Sequence, residues 1–170
     1  MDALIQEMIQ YHCPRWKELP QLELYIDQVV LYLQDHLSLF DAESIVTPAM
    51  INNYVKQKIV MPPVRKKYAR EHMAHLFIIF TMKRVTSIAQ LGEIIEYMKG
   101  RYSLEQAYDL FCEELEYALK SAFAPEEFPP RFYQREEKAE VSILRSMTTT
   151  FAHMMLTNRL LAGQKETERA

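Results

Sequence analysis

Along most of the chain, apolar residues return at every third or fourth position, the period of one face of an α-helix. Leu22, Ile26, Val29, Leu33, Leu37 and Phe40 make the first such stripe and predict a helix over about 22–40, with Pro20 in its first turn. Asp41 to Val46 has no period. Thr47-Pro48 then reads as a helix start, because a threonine hydroxyl caps free amides and proline suits the first helical position. This second helix is short and ends near Gln57, since Met61-Pro62-Pro63 lacks amide donors and favours extended backbone. Val64-Arg65-Lys66-Lys67-Tyr68 follows as the tip and return strand of a small hairpin. From Arg70 to Val85 the pattern is apolar on nearly every side, which predicts a central, buried helix.

Ser87-Ile88-Ala89-Gln90 has the form of a capping box and opens a helix striped by Ile88, Leu91, Ile95 and Met98, stopped near Gly100. Ser103-Leu104-Glu105-Gln106 repeats the device. The helix it opens turns Leu104, Ala107, Tyr108, Phe111, Leu115, Ala118 and Leu119 inward, and Glu105, Asp109, Glu113 and Glu116 toward solvent. Three prolines between Pro125 and Pro130 break it and predict a boundary there. A last helix over about 137–161 carries Leu144, Met147, Phe151, Met154, Asn158 and Leu161 at alternating steps of three and four, which suits pairing of two chains or packing within one. The fold class read from these elements is all-α: a helix-turn-helix with a small β wing, then a C-terminal helical extension. The corresponding segments are 16–100, a connecting helix at 101–124, a proline-rich linker at 125–136, and 137–170.

Composition narrows the chemistry. With 170 residues, 49% hydrophobic and 25% charged, the chain can bury a core without disulfides or metal. Cys13 and Cys112 share no motif and read as incidental thiols of a reducing compartment. Only three glycines occur, so no phosphate-cradling loop can be built. The N-terminus lacks a signal-peptide core and the longest apolar run is Leu76 to Phe80, so a cytoplasmic protein without a membrane partner is expected.

The net charge of -3 conceals a division. Between Ser44 and Gly92 stand eight bases (Lys56, Lys58, Arg65, Lys66, Lys67, Arg70, Lys83, Arg84) and one acid, Glu71, a local charge of +7. The remainder holds 12 bases against 22 acids, or -10. Within the basic module, Ala49, Asn52, Asn53 and Lys56 fall at i, i+3, i+4 and i+7 and share a helix face, while Ile51, Tyr54, Val55 and Ile59 lie largely opposite. Asparagine pairs with the groove edge of adenine, and lysine reaches guanine or phosphate, so this face is chemically suited to a major groove. Arg65, Lys66 and Lys67 would clamp phosphate beside it. Thr47, Lys58, Tyr68 and Arg70 complete the candidate contact set. Each feature alone is also ordinary solvated surface; their adjacency in one short module points to double-stranded DNA.

Thr47-Pro48-Ala49-Met50-Ile51-Asn52-Asn53-Tyr54-Val55-Lys56 resembles the recognition helix of MerR-type bacterial regulators, Pro62-Pro63 to Tyr68 their wing, and Ser87 to Leu91 the start of a later helix. More closely, Trp16-Lys17-Glu18-Leu19-Pro20 through Ile95 resembles an uncharacterised family of Gram-positive bacterial proteins, a domain of unknown function related to those regulators. Asn53-Tyr54 replaces the usual Tyr-Tyr pair, and the first helix is longer and further upstream. Lys58 stands where the regulators close the helix with glycine, which predicts a differently built helix end. The resemblance implies a homodimer formed through Leu144, Met147, Phe151, Met154, Asn158 and Leu161, with Asn158 setting the register, and an unidentified small-molecule effector. The second half is aromatic (Tyr102, Tyr108, Tyr117, Phe123, Phe128, Phe132, Tyr133), as a pocket or, more commonly, a core would be.

No other chemistry stands out. His72 and His75 lie one helical turn apart but lack a third metal ligand, and no serine or cysteine sits in a base-bearing motif. No enzyme activity and no cofactor are expected. The competing reading is an all-helical interaction or ligand-binding protein with a winged-helix shape that does not bind DNA.

Overall fold

The computed structural model of the chain describes residues 2–40, 46–132 and 135–168. Helices dominate: α1 (Asp2–Gln10), α2 (Ile26–Leu37), α3 (Pro48–Lys56), α4 (Arg70–Met82), α5 (Ile88–Lys99), α6 (Leu104–Phe123) and α7 (Ala139–Glu168). Among the described residues, a short 3-10 turn at Trp16–Glu18 and two two-residue strands, β1 (Leu24–Tyr25) and β2 (Lys67–Tyr68), complete the regular structure. Residues 41–45 of the aperiodic stretch expected at Asp41 to Val46, and Tyr133 among the aromatics, lie outside the described residues. No helix among the described residues is long and apolar enough to cross a membrane.

The helix expected over 22–40 is shorter than its stripe. Leu22 is 81% exposed, and Leu24–Tyr25 pairs antiparallel with Lys67–Tyr68 in the register Leu24↔Tyr68, Tyr25↔Lys67. Tyr25 is extended (φ -75°, ψ 158°), and its N–H donates to Gln28 Oε1 at 2.9 Å, so the helix starts at Ile26 and Pro20 stands outside it. The polar starts hold as read: Thr47 Oγ1 accepts from Met50 N (3.3 Å), Ser87 Oγ from Gln90 N (3.2 Å) and Ser103 Oγ from Gln106 N (3.2 Å).

Two compact units divide the chain: Pro14–Asp109, and Met1–Cys13 together with Leu110–Ala170. The division falls inside α6, after Asp109, not at the proline-rich run. In the Pro14–Asp109 unit the core is α4, ten of whose 13 residues are buried, as its all-round apolar pattern requires. Tyr54 meets Phe80 edge-on (5.5 Å between centroids), and Phe77 meets His36 (6.4 Å) and Tyr108 (6.3 Å) in the same way. Phe77, which is fully enclosed, contributes about 1.5–3 kcal/mol of burial. Asp109, expected on a solvated face, instead accepts from Trp16 N at 2.7 Å.

The other unit is held by α6 and α7. Phe111, Leu115 and Leu119 on α6, and Phe151 and Ala152 on α7, have no exposed surface. Arg145 links the helices: Nε and Nη2 donate to Glu114 (3.1 and 3.2 Å), and Nη1 donates to Glu137 (2.8 Å). The hydrogen bonds to Glu114, supported by Glu137 and opposed by burial, push the arginine's pKa above its ordinary value. Glu116, the second acid expected in solvent, accepts from Cys13 N at 2.9 Å. The proline-rich run is pinned to α6 by Tyr117, whose hydroxyl donates to Pro129 O at 2.9 Å.

α4 buries two histidines. His72 Nδ1 accepts from Ala69 N (2.9 Å), which leaves the proton on Nε2 to face Pro62 O (3.3 Å), so both ring nitrogens serve the backbone. Burial pushes the pKa of His75 below 6.5, aided by Lys99 and His72 and opposed by the Glu71 carbonyl and carboxylate. The unfolded chain therefore takes up a proton before the folded one does. Stability from a neutral His75 is complete above pH ~6.5 and is lost as pH falls toward the depressed folded value. Urea midpoints at pH 7.5 and 5.5 should show this acid loss, and His75→Met should reduce it; an identical acid loss in the variant would assign it to other groups.

Candidate nucleic-acid interface

α3 presents the expected polar face. Ala49, Asn52, Asn53 and Lys56 are all exposed, while Ile51 and Tyr54 on the other side are buried at 0% and 6%. Burial raises the Tyr54 phenol above 10.0, as befits a core side chain. Val55 and Ile59 are half-buried. Thr47 spends its hydroxyl on the cap at Met50, so its local role is to start the helix.

The end of α3 corrects the expectation for Lys58. It takes up φ 60°, the left-handed conformation normally left to glycine. Ile59 N donates to Tyr54 O (3.1 Å) and Lys58 N to Val55 O (3.0 Å), the paired bonds of a Schellman motif. The helix end therefore has the geometry that glycine ordinarily provides, with an exposed lysine in its place.

The basic hairpin is tighter still. Val64 N donates to Lys67 O (3.1 Å) and Lys67 N to Val64 O (2.9 Å), closing a two-residue loop at Arg65 (φ 49°) and Lys66 (φ 64°). Positive φ at both loop positions is the mark of a type I′ turn, whose preferred residues are asparagine and glycine. Among the described residues, the non-glycine positions at positive φ are Lys58, Arg65 and Lys66: three exposed cations within nine positions.

Three candidate contacts are placed otherwise. Tyr68 is 2% exposed and packs edge-on to His72 (5.5 Å), with its phenol raised by burial, so it is a core residue and not a phosphate contact. Strand alternation explains this, since Lys67 and Tyr68 must point to opposite faces. Lys67 is half-buried with its ammonium 5.5 Å from the ring of its cross-strand partner Tyr25. Arg70 is half-buried with its guanidinium 5.7 Å from the Trp16 ring, a cation–π contact that holds it against the fold. Asn52, Asn53, Lys56, Lys58, Arg65 and Lys66 remain on the surface. Exposed apolar side chains that periodicity did not single out accompany them: Met50 (38%), Met61 (51%) and Val64 (64%).

The α7 stripe is divided. Leu144 and Phe151 are buried within their own unit, Met147 and Met154 are half-buried, and Asn158 and Leu161 are exposed. The buried line runs instead through Leu144, Thr148, Phe151, Ala152 and Met155, so the upper part of the stripe is committed to the chain's own core. In the same unit, Glu114, Tyr117, Arg131, Phe132, Arg145 and His153 line part of a cavity of about 270 Å³. Arg131 stacks on Tyr117, its guanidinium 3.3 Å from the ring centroid.

A mostly helical module carrying a cation-bearing hairpin and an exposed polar helix face is thus the part of the chain richest in candidate chemistry. The chain belongs to the family defined by a domain of unknown function, DUF1836, which matches residues 14–111. Among curated proteins and solved structures, none matches it.

Holding an L-residue in the left-handed region costs about 1–2 kcal/mol. Replacing Arg65 by Asn and Lys66 by Gly supplies the preferred turn residues. The double variant should therefore gain about 1 kcal/mol in urea unfolding. A loss of stability would show that the two cations support the fold.

Proposed function

We propose that this protein is a cytoplasmic DNA-binding transcriptional regulator of the MerR-like winged-helix type, with the exposed face of α3 in the major groove and the Arg65-Lys66 turn on phosphate. The observation that carries the reading is the set of cations at positive φ. Backbone strain persists where surrounding structure imposes it and clusters at functional sites. Here three turn positions suited to glycine or asparagine hold long exposed cations, a choice that local stability disfavours and phosphate contact would reward. The order α3, basic turn, β2, α4 supports a winged helix, β1 serving as the neighbouring strand of the wing. Asn52 and Asn53 have the donor-acceptor pair that reads adenine, and Lys56 continues their face.

In this reading, chain pairing falls to the end of the α7 stripe, where Asn158, Leu160 and Leu161 are exposed, and the cavity beside Tyr117 and Arg131 is the place for a small effector. Fluorescence titration of duplex DNA at several salt concentrations tests the central claim. Binding should weaken steeply with salt, Lys66→Ala should lower affinity for all sequences and reduce the salt slope by about one, and Asn52→Ala should cost about 1–3 kcal/mol on a selected site only. Absence of salt-sensitive binding at micromolar protein would favour an interaction module without DNA. Equal losses for Asn52→Ala on random and selected DNA would end the base-reading role.

A further inference from the structure

Two cysteines that share no motif meet in the fold. Cys13 and Cys112 are 99 positions apart, and their Sγ atoms are 3.0 Å apart with no exposed surface on either residue. The approach is fixed from α6. Glu116 lies one helical turn beyond Cys112 and accepts the Cys13 N–H at 2.9 Å, while His12 Nδ1 lies 3.2 Å from the same oxygen. The backbone around Cys13 is thereby laid along the helix at the level that places sulfur against sulfur. The two thiols meet through a hydrogen bond and not a covalent one in this structure, and both belong to the unit formed by Met1–Cys13 and Leu110–Ala170. They also stand one residue outside either end of the family segment 14–111, so a bond between them would close that segment into a covalent loop.

We propose that Cys13 and Cys112 are a redox site that forms an intramolecular disulfide with a small disulfide oxidant of the oxidised-glutathione class. One cysteine, as thiolate, attacks the oxidant's disulfide and expels one thiolate, giving a mixed disulfide. The second then attacks the protein sulfur of that bond and expels the other thiolate. The protein loses two protons and two electrons, and the oxidant becomes two thiols. Because both sulfurs are enclosed, the first attack requires local opening of the segment around Cys13, whereas the second benefits from their held proximity. The site is therefore slow to react and strongly biased toward the internal bond at equilibrium.

The test equilibrates the full chain with glutathione buffers of varied ratio, folded and in urea, traps free thiols by alkylation, and reads intact mass. The folded chain should reach half-oxidation at a reduced-to-oxidised ratio at least about tenfold more reducing than the unfolded chain, because the fold supplies the proximity that loop closure otherwise costs. The product should be monomeric, lighter by two hydrogen atoms, and absent in Cys13→Ser, which should carry only the mixed disulfide. A folded chain no more easily oxidised than the unfolded one, or a mixed disulfide or intermolecular dimer as its main product, would overturn the proposal.

Discussion

Everything in the Pro14–Asp109 unit is arranged around a helix that has almost no solvent face. α4 is 13 residues long and buries ten of them, so neighbouring elements must supply apolar contacts around nearly its whole circumference. Tyr54 from α3, His36 from α2, Tyr108 from α6 and Tyr68 from β2 each bring a ring to it or to the side chains it carries. The requirement acts on the surface as well. Because α3 meets it through Tyr54 and also buries Ile51, the opposite face of α3 has nowhere to go but outward, and Asn52, Asn53 and Lys56 are displayed by default. An exposed polar face here is thus a geometrical result of core demand, and its chemistry can vary without disturbing packing.

The hairpin shows a different relation between fold and chemistry. Its loop has two residues at positive φ, the type I′ form whose twist matches that of the strands. The conformation is imposed by the pairing of β1 with β2 and by the Val64–Lys67 bridge, which over-determine the turn whatever side chains occupy it. A fold that imposes its turns can tolerate unfavourable residues at them.

Much of this was legible from local pattern. The Thr47, Ser87 and Ser103 starts, the short helix before Met61-Pro62-Pro63 and the enclosed helix after Arg70 all rest on interactions within a few residues of each other, and the structure has them. What escaped is non-local. Leu24–Tyr25 sits in an apolar rhythm continuous with α2, and nothing nearby reveals that Lys67–Tyr68, more than 40 positions on, will claim it as a strand. Tyr68 adjoins a run of basic residues in the sequence, yet the alternation of a strand separates it from Lys67. The acids Asp109 and Glu116 follow a solvated-face pattern, yet they accept backbone amides from Trp16 and Cys13, over 90 residues away. The end of α3 departs from local preference for another reason: intrinsic preference at Lys58 is a weak guide where the surrounding hydrogen bonds dictate the conformation.

The point where the chain leaves one compact unit and returns to it has an architectural consequence. The unit built from both chain ends gives up the chain after Cys13 and takes it back at Leu110, and Cys13 touches Cys112. Departure and return thus share one doorway, so the Pro14–Asp109 segment is topologically a guest inserted into a host. A short peptide spanning that doorway would leave the host's backbone continuous without the guest. A guest whose two ends leave side by side can, by the same token, be carried into another host by a single insertion, without any need to match a head to a distant tail.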